Sequence, residues 1–227
     1  YYAVGKWNHP IIDPSSLGIK LKNRNELIDN FEIVSVERRT FNETWEQVWG
    51  ERRLVENKYD EMTILLQQKK TDFSLQLIFR VFNDGIGFRY RIPLQEGMDQ
   101  VIITDEITAF SIHDADSAWW IPAYKEKFYE SLYRHTPLTE IDTVCTPLTV
   151  QTKNSGYLAI HEANLTDYAA MNLFSTDGNK LTCDLTPWSS GEKVFAELPL
   201  ETPWRTIIIA ETPGELITSN LMLNLNE

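Results

Sequence analysis

Between Phe73 and Pro93 the chain reads FSLQLIFRVFNDGIGFRYRIP, and this stretch constrains the fold more than any other. Leu75, Leu77, Phe79 and Val81 alternate with Gln76, Ile78, Arg80 and Phe82, the period of two that sends successive side chains to opposite faces of a strand. Asn83-Asp84-Gly85 supplies a tight turn, since glycine tolerates positive φ and Asn and Asp tolerate it better than most residues. Ile86, Phe88, Tyr90 and Ile92 then alternate with Gly87, Arg89 and Arg91 on the way back. The pattern predicts a long β-hairpin with one apolar face.

The same grammar continues along the chain. Tyr1–Lys6 and Gly18–Leu21 read as short strands, separated by NHPIIDPSS, whose two prolines and turn formers predict irregular structure. Phe31–Thr40 reads as a half-exposed strand, NETWEQVWG as an irregular loop, and Met62–Gln68 and Val101–Thr104 as strands. From Thr146 strands are expected at Pro147–Thr152, Gly156–His161, Tyr168–Phe174, Lys180–Leu185, Val194–Leu198, Trp204–Ala210 and Ser219–Asn224. Many short strands with polar turns and no long amphipathic helix predict an all-β antiparallel sandwich, a single domain over residues 1–227.

Charge excludes some partners. The formal net charge of -12 lacks the positive footprint that nucleic acid or an anionic membrane requires. No apolar run of about 18 residues is present, and the opening YYAVGKW reads as the inside of a strand rather than as a signal peptide or a natural N-terminus. Cys145 and Cys183 are read as buried free thiols, with a disulfide left open. Phosphate loops, nucleophile elbows, dinucleotide fingerprints and zinc helices are absent, and His9, His113, His135 and His161 never fall at metal-ligand spacing.

One carboxylate stands out, in GYLAIHEANLTDYAAMNLF. Glu162 would share a face with Leu158 and Ile160 if the strand ran two residues beyond Ile160. A carboxylate in phase with core positions is costly to desolvate unless something cationic compensates it. The competing reading ends the strand at His161 and turns Glu162 out to water. Aromatic residues are also concentrated: Trp119, Trp120, Tyr124, Phe128, Tyr129 and Tyr133 crowd one segment. Flat rings with polar edges suit sugar faces, which makes Trp119 and Trp120 candidate substrate-binding residues, and equally suit core or interface packing.

Taken together, DPSSLGIKL, ETWEQVWGER, LIFRVFNDGIGFRYRIP, ITDEITAF, AWWIPA, TPLTVQTKNSGYLAIHEANLTDYAAMNL, PWRTIIIA and SNLMLNLNE resemble the N-terminal domain of glycoside hydrolase family 97, from about Asp13 to Glu227. The resemblance implies a β-super-sandwich of galactose-mutarotase type. In that family a (β/α)8 barrel follows and carries the catalytic carboxylates. It implies exo-acting α-glucosidase or α-galactosidase activity on α-linked oligosaccharides, in the periplasm. It implies an active-site calcium ion to which this domain contributes one glutamate, matched here by Glu162. A glycosidase needs two suitably spaced carboxylates, and the family's lie beyond Glu227, so these residues alone are expected to hydrolyse nothing. The rival expectation is a free-standing carbohydrate-binding module.

Overall fold

The computed structural model describes residues 1–22, 24, 26–69, 71, 73–124 and 130–226. Strand alternation builds three antiparallel sheets from it. The largest has ten strands. Its order is β11 (Arg134–Pro137), β10 (Ala115–Trp120), β13 (Leu148–Thr152), β14 (Tyr157–Ala163), β19 (Trp204–Ala210), β7 (Gly85–Ile92), β6 (Ser74–Phe82), β5 (Leu54–Gln68) and β4 (Phe31–Glu46), with β18 (Leu200–Glu201) beside β7. A six-stranded sheet runs β1 (Tyr2–Lys6), β2 (His9–Ser15), β9 (Ala109–Ile112), β16 (Lys180–Leu185), β15 (Met171–Asp177) and β12 (Thr143–Cys145). A third, of three strands, is ordered β17 (Val194–Glu197), β8 (Gln100–Glu106) and β3 (Ile19–Leu21). The fold is the expected open β-sandwich.

The hairpin forms as predicted, β6 and β7 pairing from Gln76↔Arg91 to Phe82↔Gly85. Leu75, Leu77, Phe79, Phe88 and Tyr90 enter the main core between the sheets. The other face is not left to water. Ile78 and Phe82 pack with Tyr59, Trp204, Leu221 and Leu225 in a second apolar cluster. Arg80 and Arg89 lie against the Trp204 indole, their guanidinium carbons 4.7 and 4.3 Å from its ring centre. The hairpin therefore has two buried faces rather than one.

The cover is the C-terminal segment, and here the structure departs from the expected strand at Ser219–Asn224. After α1 (Pro213–Thr218) the chain makes the single-turn helix α2 (Leu221–Leu225). Helical spacing puts Leu221 and Leu225, four apart, on one side, and both are fully buried. Asp84 Oδ2 accepts hydrogen bonds from Ser219 Oγ at 2.6 Å and from the Asn220 N–H at 3.1 Å, which fixes the start of the turn on the hairpin tip.

Two further expectations are corrected. HPIIDPS forms β2, because its contact with β9 is confined to Ile12↔Ile112 and Asp13↔Ser111, away from Pro10 and Pro14. NETWE is not a loop. β4 continues to Glu46 against Leu54 of β5, and Trp45 Nε1 donates to Asn224 Oδ1 at 2.9 Å.

Candidate functional site

Glu162 is held where the three sheets meet. In the β14–β19 register it faces Arg205. β14 runs on through Ala163, so the strand does not stop at His161 and Glu162 does not turn out to water; its residue exposure is 7%. Alternation carries it inward with Leu158 and Ile160, as its phase predicts.

The compensating cation is inside the chain. Arg205 Nη1 donates to Glu162 Oε2 at 2.6 Å, and the backbone N–H of Met171, at the head of β15, donates to Oε1 at 2.9 Å. The same guanidinium grips Glu106, the last residue of β8, through Nε to Oε1 at 2.9 Å and Nη2 to Oε2 at 2.7 Å. Thr108 Oγ1 also donates to Glu106 Oε1, at 2.8 Å. An ionised carboxylate only accepts, so the single Thr108 proton is committed there. Tyr90 O–H must then donate to Thr108 Oγ1 across 2.7 Å while accepting the Gly18 N–H at 2.9 Å.

This network ties the ten-stranded sheet (Glu162, Arg205, Tyr90) to the three-stranded sheet (Glu106) and the six-stranded sheet (Met171 N–H). The Arg205 and Glu106 side chains have 0% exposure and that of Glu162 has 5%. Burial is the largest single influence and works against the Arg205 charge, but Glu106, Cys183 and Glu162 together outweigh it and hold the guanidinium pKa well above its ordinary value. Two carboxylates share one guanidinium. Ionised, the cluster carries one negative charge in excess, which is expensive in a low-dielectric interior.

Calcium takes six to eight oxygen ligands. Among the described residues no three His, Cys, Asp or Glu side chains converge on a metal position. Glu162 fits one share of such a site: a fixed carboxylate, each oxygen engaged once and retaining a second lone pair.

Trp119 and Trp120 are adjacent in β10 and face opposite sides of the sheet. Trp120 is core at 3% exposure, with its Nε1 donating to Thr136 Oγ1 at 3.1 Å. Trp119 is half-buried and stacked on His135, ring centres 4.2 Å apart and 10° from parallel. The two do not form one aromatic platform. Phe128 and Tyr129 lie outside the described residues. Cys145 and Cys183 are buried and unpaired. His161, on the opposite face from Glu162, meets Thr146 Oγ1 at 3.0 Å, and burial lowers its pKa against the pull of Glu162.

Next to the cluster, on the side of Tyr168, whose ring centre lies 5.7 Å from the Arg205 guanidinium carbon, the surface is concave and mixes apolar with charged side chains, Asp167 and Lys193 among them. A cavity of about 370 Å³ is lined by Tyr168, Ala170, Thr186, Trp188, Val194 and Phe195, among others. Trp188 is 63% exposed on a turn closed by its own N–H to Glu192 O (2.8 Å) and its O to the Gly191 N–H (2.9 Å). Phe195 and Tyr124 are also exposed, and Tyr124 O–H accepts from Asn172 Nδ2 at 3.1 Å, next to Thr186.

Arg205 and Glu106 were not among the sequence-derived candidates. Arg205 was findable by the same signal as Glu162, a charge in phase with Ile207 and Ile209. Glu106 was not, because a register shift between Lys20↔Asp105 and Leu21↔Ile103 turns it inward out of phase with Val101 and Ile103.

Three antiparallel sheets joined through a buried ion cluster define an all-β sandwich domain. The sequence matches, over residues 1–227, the family described as glycosyl-hydrolase 97 N-terminal, and the chain belongs to that family. A glycoside hydrolase family 97 enzyme from Pseudoalteromonas sp. strain K8, solved with acarbose, superposes with a TM-score of 0.96 at 38% identity, over 100% of this chain and 35% of its own. A probable retaining α-galactosidase from Streptomyces bingchenggensis (strain BCW-1) is 25% identical over 92% of this chain and 31% of its own length. A β-arabinopyranosidase shares the fold, with a TM-score of 0.82 at 21% identity over 90% of this chain and 35% of its own. The chain spans about a third of the length of these relatives.

Proposed function

We propose that this chain is the non-catalytic N-terminal domain of an exo-acting α-glycosidase, an α-glucosidase or α-galactosidase exported to the periplasm, and that it packs on a (β/α)8 catalytic domain and contributes Glu162 to a calcium ion there. The observation that carries the reading is the charge count at the sheet junction: two carboxylates to one guanidinium, with Glu162 the member nearer the surface. A divalent cation held by acidic residues of the neighbouring domain would relieve that excess charge. The ion would supply Lewis-acid polarisation or positioning at the reaction centre. This chain's part is to hold one carboxylate in place and aimed.

The cavity-lined end with Trp188, Phe195 and Tyr124 supports the docking half of the proposal, since exposed apolar surface of this kind marks interaction sites. A free-standing sugar-binding module is the weaker reading because Trp120 offers no face to a ligand. The test is calcium titration calorimetry on the full-length, chelator-stripped protein. Glu162→Gln should weaken calcium binding about 10- to 100-fold, with the metal-free melting temperature recorded alongside. Unchanged affinity would reject the ligand role.

A further inference from the structure

We propose that Arg205, clamped by Glu106, is the positioning residue that fixes the orientation of the Glu162 carboxylate, a role that rests on the reading of Glu162 as a cation ligand. The geometry separates this from simple charge neutralisation. Nε and Nη2 of Arg205 lie on one edge of the guanidinium and take both oxygens of Glu106 at 2.9 and 2.7 Å, a two-point contact that sets the plane of the group. That leaves Nη1 to meet Glu162 Oε2 at 2.6 Å from a fixed direction. The Met171 N–H holds Oε1 at 2.9 Å, so the carboxylate is pinned at both oxygens by elements of two different sheets. Glu106 is in turn oriented by the Tyr90–Thr108 hydroxyl relay, which starts at the Gly18 N–H.

Neutralising Glu162 alone would require one guanidinium and no Glu106. The second carboxylate adds excess charge, and its structural effect is to prevent Arg205 from turning its two-point face toward Glu162. A Glu162 gripped on both oxygens by Arg205 would have fewer lone pairs directed outward. The clamp thus keeps the Glu162 carboxylate in one orientation, with a lone pair on each oxygen left over.

The experiment uses the full-length protein, stripped of metal and titrated with calcium by calorimetry. Arg205→Lys keeps the charge and loses the fork. The double substitution Glu106→Gln with Arg205→Gln keeps the net charge of the cluster and removes the clamp, without leaving a buried guanidinium unpaired. Both should bind calcium about 10-fold or more weakly while the metal-free protein still melts cooperatively. Affinity within about twofold of the parent in either variant, with Glu162→Gln strongly impaired, overturns the positioning role and leaves the ligand role standing. No loss in Glu162→Gln sinks the ligand role itself, and this proposal with it. A crystal structure of the calcium-loaded parent decides the case if both variants fail to fold. The Nη1–Glu162 contact should persist beside the ion, and Arg205 swung away from Glu162 refutes the proposal.

Discussion

Buried charges in this domain are managed in threes: Arg205 is shared by two carboxylates, and Glu61 is shared by two guanidinium groups. It accepts from Arg39 Nε at 2.6 Å and from Arg80 Nε at 2.8 Å, at 8% side-chain exposure. Burial pushes its pKa up, but the bonds from Arg39 and Arg80 outweigh burial and hold it below the ordinary 4.5. The folded state therefore binds this proton less readily than the unfolded chain. The contribution is complete above pH 4.5 and is lost as the pH falls through the lower, folded-state value. Glu61→Gln should flatten the fall of melting temperature between about pH 5 and pH 3, measured by thermal denaturation in matched buffers. An unaltered slope would mean that Glu61 contributes nothing to acid unfolding. At this scale the sequence located Glu162 through its phase with Leu158 and Ile160, but not its partners, which lie 43 residues ahead and 56 residues behind.

At the scale of elements, the β6–β7 hairpin and the C-terminal turn are one packing unit. Gly85 has φ +156°, and a Cβ there would sit 2.3 Å from the Ile207 carbonyl oxygen, a backbone atom that cannot yield cheaply. A Cβ on Gly87 would instead meet Leu225 Cδ1 at 2.4 Å, the far end of a flexible side chain. Gly85→Ala should therefore destabilise by about 3 kcal/mol or more and Gly87→Ala by about 1–2 kcal/mol, read from urea unfolding followed by tryptophan fluorescence. Leu221→Ala, fully buried against Gly85, should cost about 2–4 kcal/mol. Equal costs for the two glycines would contradict the backbone-clash argument. Alternation made this hairpin legible. Its outer face was misread because Arg80 and Arg89 look like solvent residues until Trp204 and α2 cover them.

For the whole molecule, the end that carries Glu162 is also the end with unpartnered aromatic surface. Trp188 is 63% exposed, and Trp7 and Trp49 are 85% and 88% exposed elsewhere. If the neighbouring domain docks at the Glu162 end, hydroxyl-radical labelling of the full-length protein should leave Trp188 protected while Trp7 or Trp49 reacts at the rate of a solvated indole. Trp188 reacting as fast as the exposed reference would place the domain interface elsewhere. This surface is not visible to periodicity, because most of its residues come from the connections that lead from one sheet to another, 167–170 and 186–188, and only Val194 and Phe195 stand on a strand, β17.

Local pattern was enough for most of the strands from Phe73 to Ile92 and from Pro147 to Ala210, the tight turns, the sandwich class and the inward phase of Glu162, because a period of two and turn chemistry act within a few residues of chain. Three features were decided only by tertiary contact: the clamp on Glu162, the covered outer face of the hairpin, and the turn of helix at Leu221–Leu225. Each depends on which distant strand lies opposite, and at Glu106 on a one-residue slip in register. Energies of that kind arise between surfaces rather than along the chain.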